Sequence, residues 1–207
     1  MNIGATGPVR SGRLPNVSRF RKDIAALDKA RAALGRPHSF APNPDPPEPS
    51  LRHLDGVVHP RILRAMHAGA RALAGAGVPH ALCGGLAVGA LGVPRATKDV
   101  DFLVGDEAFD HHGGGLVTMR EGVPIAHEDV PIDALSIGEG EAFLRRAIEA
   151  APMLGGVRVL QADALVYLKL KSPRAKDAGD IEEMIKAGAV DVDAIRAYLR
   201  RHRRKFV

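Results

Sequence analysis

Asp99 and Asp101 flank Val100 in the run Lys98-Asp-Val-Asp-Phe-Leu-Val104, which constrains the fold more than any other segment. Successive side chains of a strand point to opposite faces. The two carboxylates therefore share one side, while Val100, Phe102 and Val104 enter a core on the other. Carboxylates held side by side repel each other, an arrangement that is costly unless a cation neutralises it. Oxygen-only ligands select a hard ion such as Mg²⁺ or Mn²⁺. Upstream, separated by thirteen residues, Gly84-Gly85 closes the apolar run Ala81-Leu82-Cys83. Paired glycines between a strand and a helix let backbone N–H groups approach a phosphate closely. The pattern predicts a site for a metal ion and a polyphosphate.

A third carboxylate is expected from a strand beside Asp99 and Asp101. Asp133, in Val130-Pro-Ile-Asp-Ala-Leu-Ser136, alternates with apolar Ile132 and Ala134 and is the first candidate; Asp129, near a turn, is the fallback. Thr97 shares the facing of Asp99 and Asp101 at period two and is assigned to the site. Of Arg95, Thr97 and Lys98, one is expected to touch phosphate, with Lys98 facing away if the strand already includes it. His111-His112 precedes three glycines and has no cysteine or third histidine at zinc spacing, so a solvated loop is expected there. His80 and His127 flank strands and are read as structural.

Gly84-Gly85, then Pro94-Arg-Ala-Thr-Lys-Asp-Val-Asp101, then the stretch from Lys169 to Asp180 resemble the DNA-polymerase-β-type nucleotidyltransferase superfamily. Within it the chain is most similar to the minimal bacterial members that include the AbiE-type toxins, over roughly residues 60 to 190. The resemblance implies transfer of a nucleoside monophosphate from an NTP to a hydroxyl, on RNA or tRNA, a protein or a small molecule. It implies two metal ions bridged by Asp99 and Asp101, with Asp133 on the acceptor side. It also implies a helical lysine at the γ-phosphate, Lys169 in preference to Lys171, with Asp180 near the site, and a cognate antitoxin as partner. The rival expectation is an inactive nucleotide-binding or interaction module on the same fold. A phosphohydrolase using the same aspartates is opposed by the lack of a histidine beside them.

Net charge of +5 is unevenly spread along the 207 residues. Residues 1–52 hold nine Lys/Arg against four Asp/Glu, whereas residues 53–207 hold twenty of each. Arg196, Arg200, Arg201, Arg203, Arg204 and Lys205 make the C-terminal end basic, which suits an RNA partner. Two tyrosines and no tryptophan leave few stacking platforms for single strands. A single cysteine, Cys83, excludes an internal disulfide and fits the cytoplasm. No apolar stretch approaches the roughly 18 residues of a membrane span, and no signal-like segment follows Met1.

Two regions are expected: a basic arm over 1–52, with a helix up to Leu34 and a proline-rich linker over Ala41–Pro49, and a globular domain over 53–207. In the domain, helices are predicted over 60–75, 85–91, 139–151, 163–171, 174–186 and 191–204. Strands are predicted over 79–83, 98–104, 116–119, 123–127, 130–136 and 157–161. This order predicts an α/β (α+β) fold: a mixed sheet flanked by helices, with helices closing the C-terminal part.

Overall fold

The computed structural model describes residues 48–202 except 139 and 173, together with the isolated positions Ala25, Asp28 and Ala32. The expected N-terminal helix as a whole, most of the proline-rich linker, and Arg203, Arg204 and Lys205 lie outside the described residues.

Pro60, at the first position of α1 (Pro60–Gly75), presets the helical φ, and the His59 ring caps the Arg61 amide. Ile62, Met66, Ala70 and Leu73 bury one stripe of the helix. The chain then forms β1 (His80–Leu82), the short helix α2 (Gly84–Ala90) and β2 (Val100–Val104). A hairpin of β3 (Phe109–His111) and β4 (Val117–Met119) follows, then β5 (Ala126–His127) and β6 (Val130–Ser136). The last part comprises α3 (Ala142–Ala150), the hairpin β7 (Met153–Leu154) and β8 (Val157–Arg158), then α4 (Ala162–Lys171), α5 (Ala175–Lys186) and α6 (Val192–His202).

The central sheet has the order β1-β2-β6-β5. β2 runs parallel to β6 and antiparallel to β1, and β5 is antiparallel to β6, so the sheet is mixed. The expected α/β class with flanking helices is the observed one. Val100, Phe102 and Val104 are fully buried. On that face α1 packs so closely that a Cβ on Gly69 would lie 2.9 Å from Phe102 and 3.2 Å from Ile132. The opposite face carries Asp101 and Asp133, which are Cα partners in the parallel β2–β6 register. Helix α2 lies against β2 and α4. Below it, the short helical turn Leu51–Leu54 buries Leu54 completely, and Ser50 donates its amide to the Ala90 carbonyl.

Several boundaries differ from the sequence expectation for local reasons. β2 begins at Val100 rather than Lys98, because β6 pairs with it only from Val100↔Ile132 onward. The expected strand over 123–127 shrinks to Ala126–His127, which pairs with Pro131 and Val130 of β6 across the two-residue reversal Glu128-Asp129, both with positive φ. β3 and β7 pair only with their sequence neighbours. His111 ends β3 and bonds Asp106, while His112 opens the exposed loop of the hairpin and its ring pairs with Thr118. Among the described residues no helix is long and apolar enough to cross a membrane.

Candidate active site

Asp99, Asp101 and Asp133 converge: one carboxylate oxygen from each lies within 4.8 Å of the others. Adjacent parallel strands place Asp101 and Asp133 side by side, and the segment entering β2 supplies Asp99. Burial first, then the charges of Asp99 and Asp133, push the Asp101 carboxyl up to about 6 from the ordinary 3.8. The repulsion expected from the sequence is therefore present. Arg174 and Lys176 relieve it only in part.

Gly84 occupies the one position where any side chain would destroy this arrangement. Its φ of +62° is left-handed, and a Cβ there would overlap the Asp101 carboxylate, 1.8 Å from Oδ2. Gly85 follows in the first turn of α2, where a Cβ would lie 3.2 Å from Arg95 Nη2 and 3.4 Å from Thr97 Oγ1. First-turn amides of a helix have no carbonyl partner within it and can serve a ligand. The paired glycines, Thr97 and the carboxylates thus lie side by side as one wall of the candidate site. The Thr97 hydroxyl donates to Asp99 Oδ1 at 2.7 Å and orients that carboxylate.

The donor set fits a divalent cation. Three carboxylates meet with oxygen ligands only, and the mutual repulsion that, after burial, raises the Asp101 pKa is what a bound cation would relieve. Replacing Thr97 by valine removes the bond that orients Asp99. Such outer partners are typically worth about 10–100-fold in metal affinity. We expect Thr97→Val to weaken Mn²⁺ binding, read by electron paramagnetic resonance, by about tenfold. An affinity equal to wild type would refute the orienting role of Thr97.

No protein-family model matches this chain, and no curated protein matches it. A solved structure similar to it is that of an antigenic nucleotidyltransferase-like protein from Paracoccidioides brasiliensis. The overlap covers 72% of this chain and 91% of that one, at 14% identity and a TM-score of 0.37. At so low an identity and so partial an overlay, the function of this chain is decided by its own residues.

Lys169 and Asp180 meet in a direct ion pair. The Lys169 ammonium is buried and bonds Asp177 at 3.1 Å and Asp180 at 2.5 Å. Asp180 also receives Arg95 through two parallel bonds, at 2.8 and 2.9 Å, and Asp177 receives Arg174 Nε at 2.8 Å. Asp177 and Asp180 thus belong to a buried ion group, with the two side chains only 3% and 7% exposed. Arg95, Lys169 and Arg174 hold both carboxyls below the usual carboxylate range against the opposing cost of burial. Lys171 points elsewhere, onto Glu141 at 2.7 Å, as the two-residue offset on a helix requires.

The remaining expectations resolve simply. Asp129 sits at the β5–β6 turn, paired with Arg61 and almost fully exposed, and stands apart from the carboxylate group. Lys98 is exposed. His80 donates Nδ1–H to the Val78 carbonyl at 2.7 Å and packs edge-on against Phe102, a structural role. Arg196 pairs with Asp193 and Asp28, and among the described residues the last turn of α6 carries Arg200 and Arg201.

Proposed function

We propose that the protein is a metal-dependent nucleotidyltransferase that moves a nucleoside monophosphate from an NTP to a hydroxyl acceptor. The observation that carries this reading is the convergence of Asp99, Asp101 and Asp133 beside a Gly84 that tolerates no side chain. Asp99, Asp101 and Asp133 would hold Mg²⁺ or Mn²⁺. The ion supplies Lewis-acid stabilisation of phosphate charge and lowers the pKa of an attacking hydroxyl. Thr97 keeps Asp99 aimed. Gly84 and Gly85 leave room for the polyphosphate against the first turn of α2. Lys169 and Asp180 belong to the same wall, through Arg95.

In the reaction a bond forms between the acceptor oxygen and the α-phosphorus, and the bond from that phosphorus to the bridging oxygen breaks. Pyrophosphate leaves with the electron pair, and the acceptor proton passes to water. Positioning and charge neutralisation carry such chemistry, with little covalent work for the protein. The exposed side of Asp133 leaves the acceptor approach open, and the basic end of α6 favours an RNA or tRNA hydroxyl over a protein or small molecule. A toxin role with a cognate antitoxin belongs to the same proposal and follows from the sequence resemblance alone.

The test is incubation of the full chain with each α-³²P-labelled NTP, Mg²⁺ and total bacterial RNA, beside Asp99→Ala. Label on RNA with wild type only supports the transferase and identifies its nucleotide. Label on the protein or a small molecule moves the acceptor class. Failure to bind any NTP in the presence of Mg²⁺ overturns the reading and leaves an interaction module.

A further inference from the structure

Five charged side chains form one connected group beside the carboxylates: Arg95, Asp180, Lys169, Asp177 and Arg174. Three are cations and two are anions, so the group carries one surplus positive charge. Its members are not equivalent. Lys169 is 6% exposed, with its ammonium held between two carboxylates drawn from successive turns of α5. Arg95 and Arg174 are 35% and 58% exposed. They form the two ends of the group, on the side that reaches water.

Each arginine is fixed from behind by a buried aspartate. Arg95 uses Nε and Nη2 on Asp180, and its Nη1 reaches the Ala96 carbonyl at 3.3 Å. Each terminal nitrogen of a guanidinium carries two hydrogens, so both keep a second donor. Arg95 also stands 3.2 Å from where a Gly85 Cβ would be, against the first turn of α2. Arg174 is held through Nε alone, by Asp177 at 2.8 Å and Ser172 Oγ at 3.0 Å. Both feel the metal-site carboxylates: the charge of Asp99 raises the pKa of Arg95, and those of Asp101 and Asp99 raise that of Arg174.

We infer that Arg95 and Arg174 hold the anionic leaving group of the substrate, and that Lys169 is a positioning residue acting on them through Asp180 and Asp177 rather than a phosphate contact. This rests on the nucleotidyltransferase reading and assigns its polyphosphate subsite. Buried and aimed at two carboxylates, the Lys169 ammonium would have to turn away from them, leaving them uncompensated, to reach a phosphate. A planar guanidinium anchored along one edge presents its other edge for bidentate contact with phosphate oxygens, at little further cost in side-chain freedom. The group also explains why two aspartates are buried near three acidic ligands: they do not bind metal but aim cations at it.

The experiment titrates magnesium tripolyphosphate onto the full chain by calorimetry and, separately, Mn²⁺ alone by electron paramagnetic resonance. Arg95→Gln and Arg174→Gln should each weaken tripolyphosphate about tenfold, the order expected for a charge-assisted contact. Mn²⁺ affinity should stay unchanged or tighten, because a cation facing the carboxylates has been removed, whereas a merely structural lesion would loosen it. Lys169→Met should weaken tripolyphosphate in the wild-type background yet change it less than about twofold in Arg95→Gln/Arg174→Gln, as coupled residues do. Should Lys169→Met fail to fold, Asp180→Asn should weaken tripolyphosphate alone and add nothing once Arg95 is glutamine. Arginine variants that bind tripolyphosphate like wild type would overturn the inference. So would a Lys169→Met loss that persists in full without the arginines. Wild-type protein that binds Mn²⁺ while the arginine variants keep tripolyphosphate affinity refutes only this subsite; wild-type protein that binds no Mn²⁺ refutes the metal site itself, and this inference with it.

Discussion

Asp101→Asn will cut the proposed nucleotidyl transfer by about a thousandfold or more and, in metal-free buffer, raise the melting temperature. The two effects have one cause. Asp101 lies at the centre of the carboxylate group, its pKa pushed up to about 6 by burial and then by Asp99 and Asp133. Between the ordinary 3.8 of an unfolded aspartate and about 6, the folded state binds more protons than the unfolded state. Stability therefore falls as pH rises through that window, and the loss persists above it. An asparagine carries no charge to desolvate. At pH 7 without metal the variant should be more stable than wild type by about 2 kcal/mol, and the gap should close below about pH 4. Adding Mn²⁺ reverses the ranking, since only wild type gains from tight binding of an ion to the folded state.

Transfer falls by about a thousandfold or more, given that removing one preorganised electrostatic group already costs about 10²–10³. Thermal melts at pH 4 and 7, in EDTA and in Mn²⁺, check the stability half; the labelled-NTP assay checks the other. Equal melting curves for the two proteins in EDTA, with no response of wild type to Mn²⁺, would remove Asp101 from any metal site.

The carboxylate group was legible because strands advertise their facing. Val130–Ser136 alternates over seven residues and forms the strand expected. Asp133 needed only to be opposite in facing to Ile132, and the parallel register with β2 then brings it to Asp101. Gly84-Gly85 was legible for a related reason, since position at a strand end before a helix is visible in the chain. The ion group behind Arg95 was not. Ala164, Leu165, Val166, Tyr167 and Leu170 surround Lys169 on every side of α4, so no apolar stripe tells which face of the helix is inside. Partners eighty-five residues apart, such as Arg95 and Asp180, leave no periodic trace either. A charged stretch from Lys169 to Asp180 reads the same whether its side chains are solvated or buried. What could have raised suspicion is Lys169 itself, a charge in an otherwise apolar turn, which demands a buried counter-ion.

That demand sets the second large effect. Lys169→Met keeps the volume and removes the charge, leaving Asp177 and Asp180 buried with only Arg95 and Arg174 to neutralise them. Breaking a buried pair by deleting one partner typically costs about 3–5 kcal/mol, because the orphaned charges remain out of water. We expect a loss of that order at pH 7, read from urea unfolding. The pH dependence distinguishes this cause from a packing defect. In wild type both aspartates have depressed pKa values, so their contribution is present at neutral pH and is lost as pH falls below the ordinary 3.8. In the variant the missing ammonium lets both pKa values rise, and protonation then relieves the buried charge. The difference between the two proteins should accordingly be widest near neutrality and shrink on acidification toward pH 4. A gap that stays constant with pH would mean that Lys169 matters for its methylenes rather than its charge. The ion group would then be a consequence of the packing of α4 against α5, not the device that holds the arginines in place.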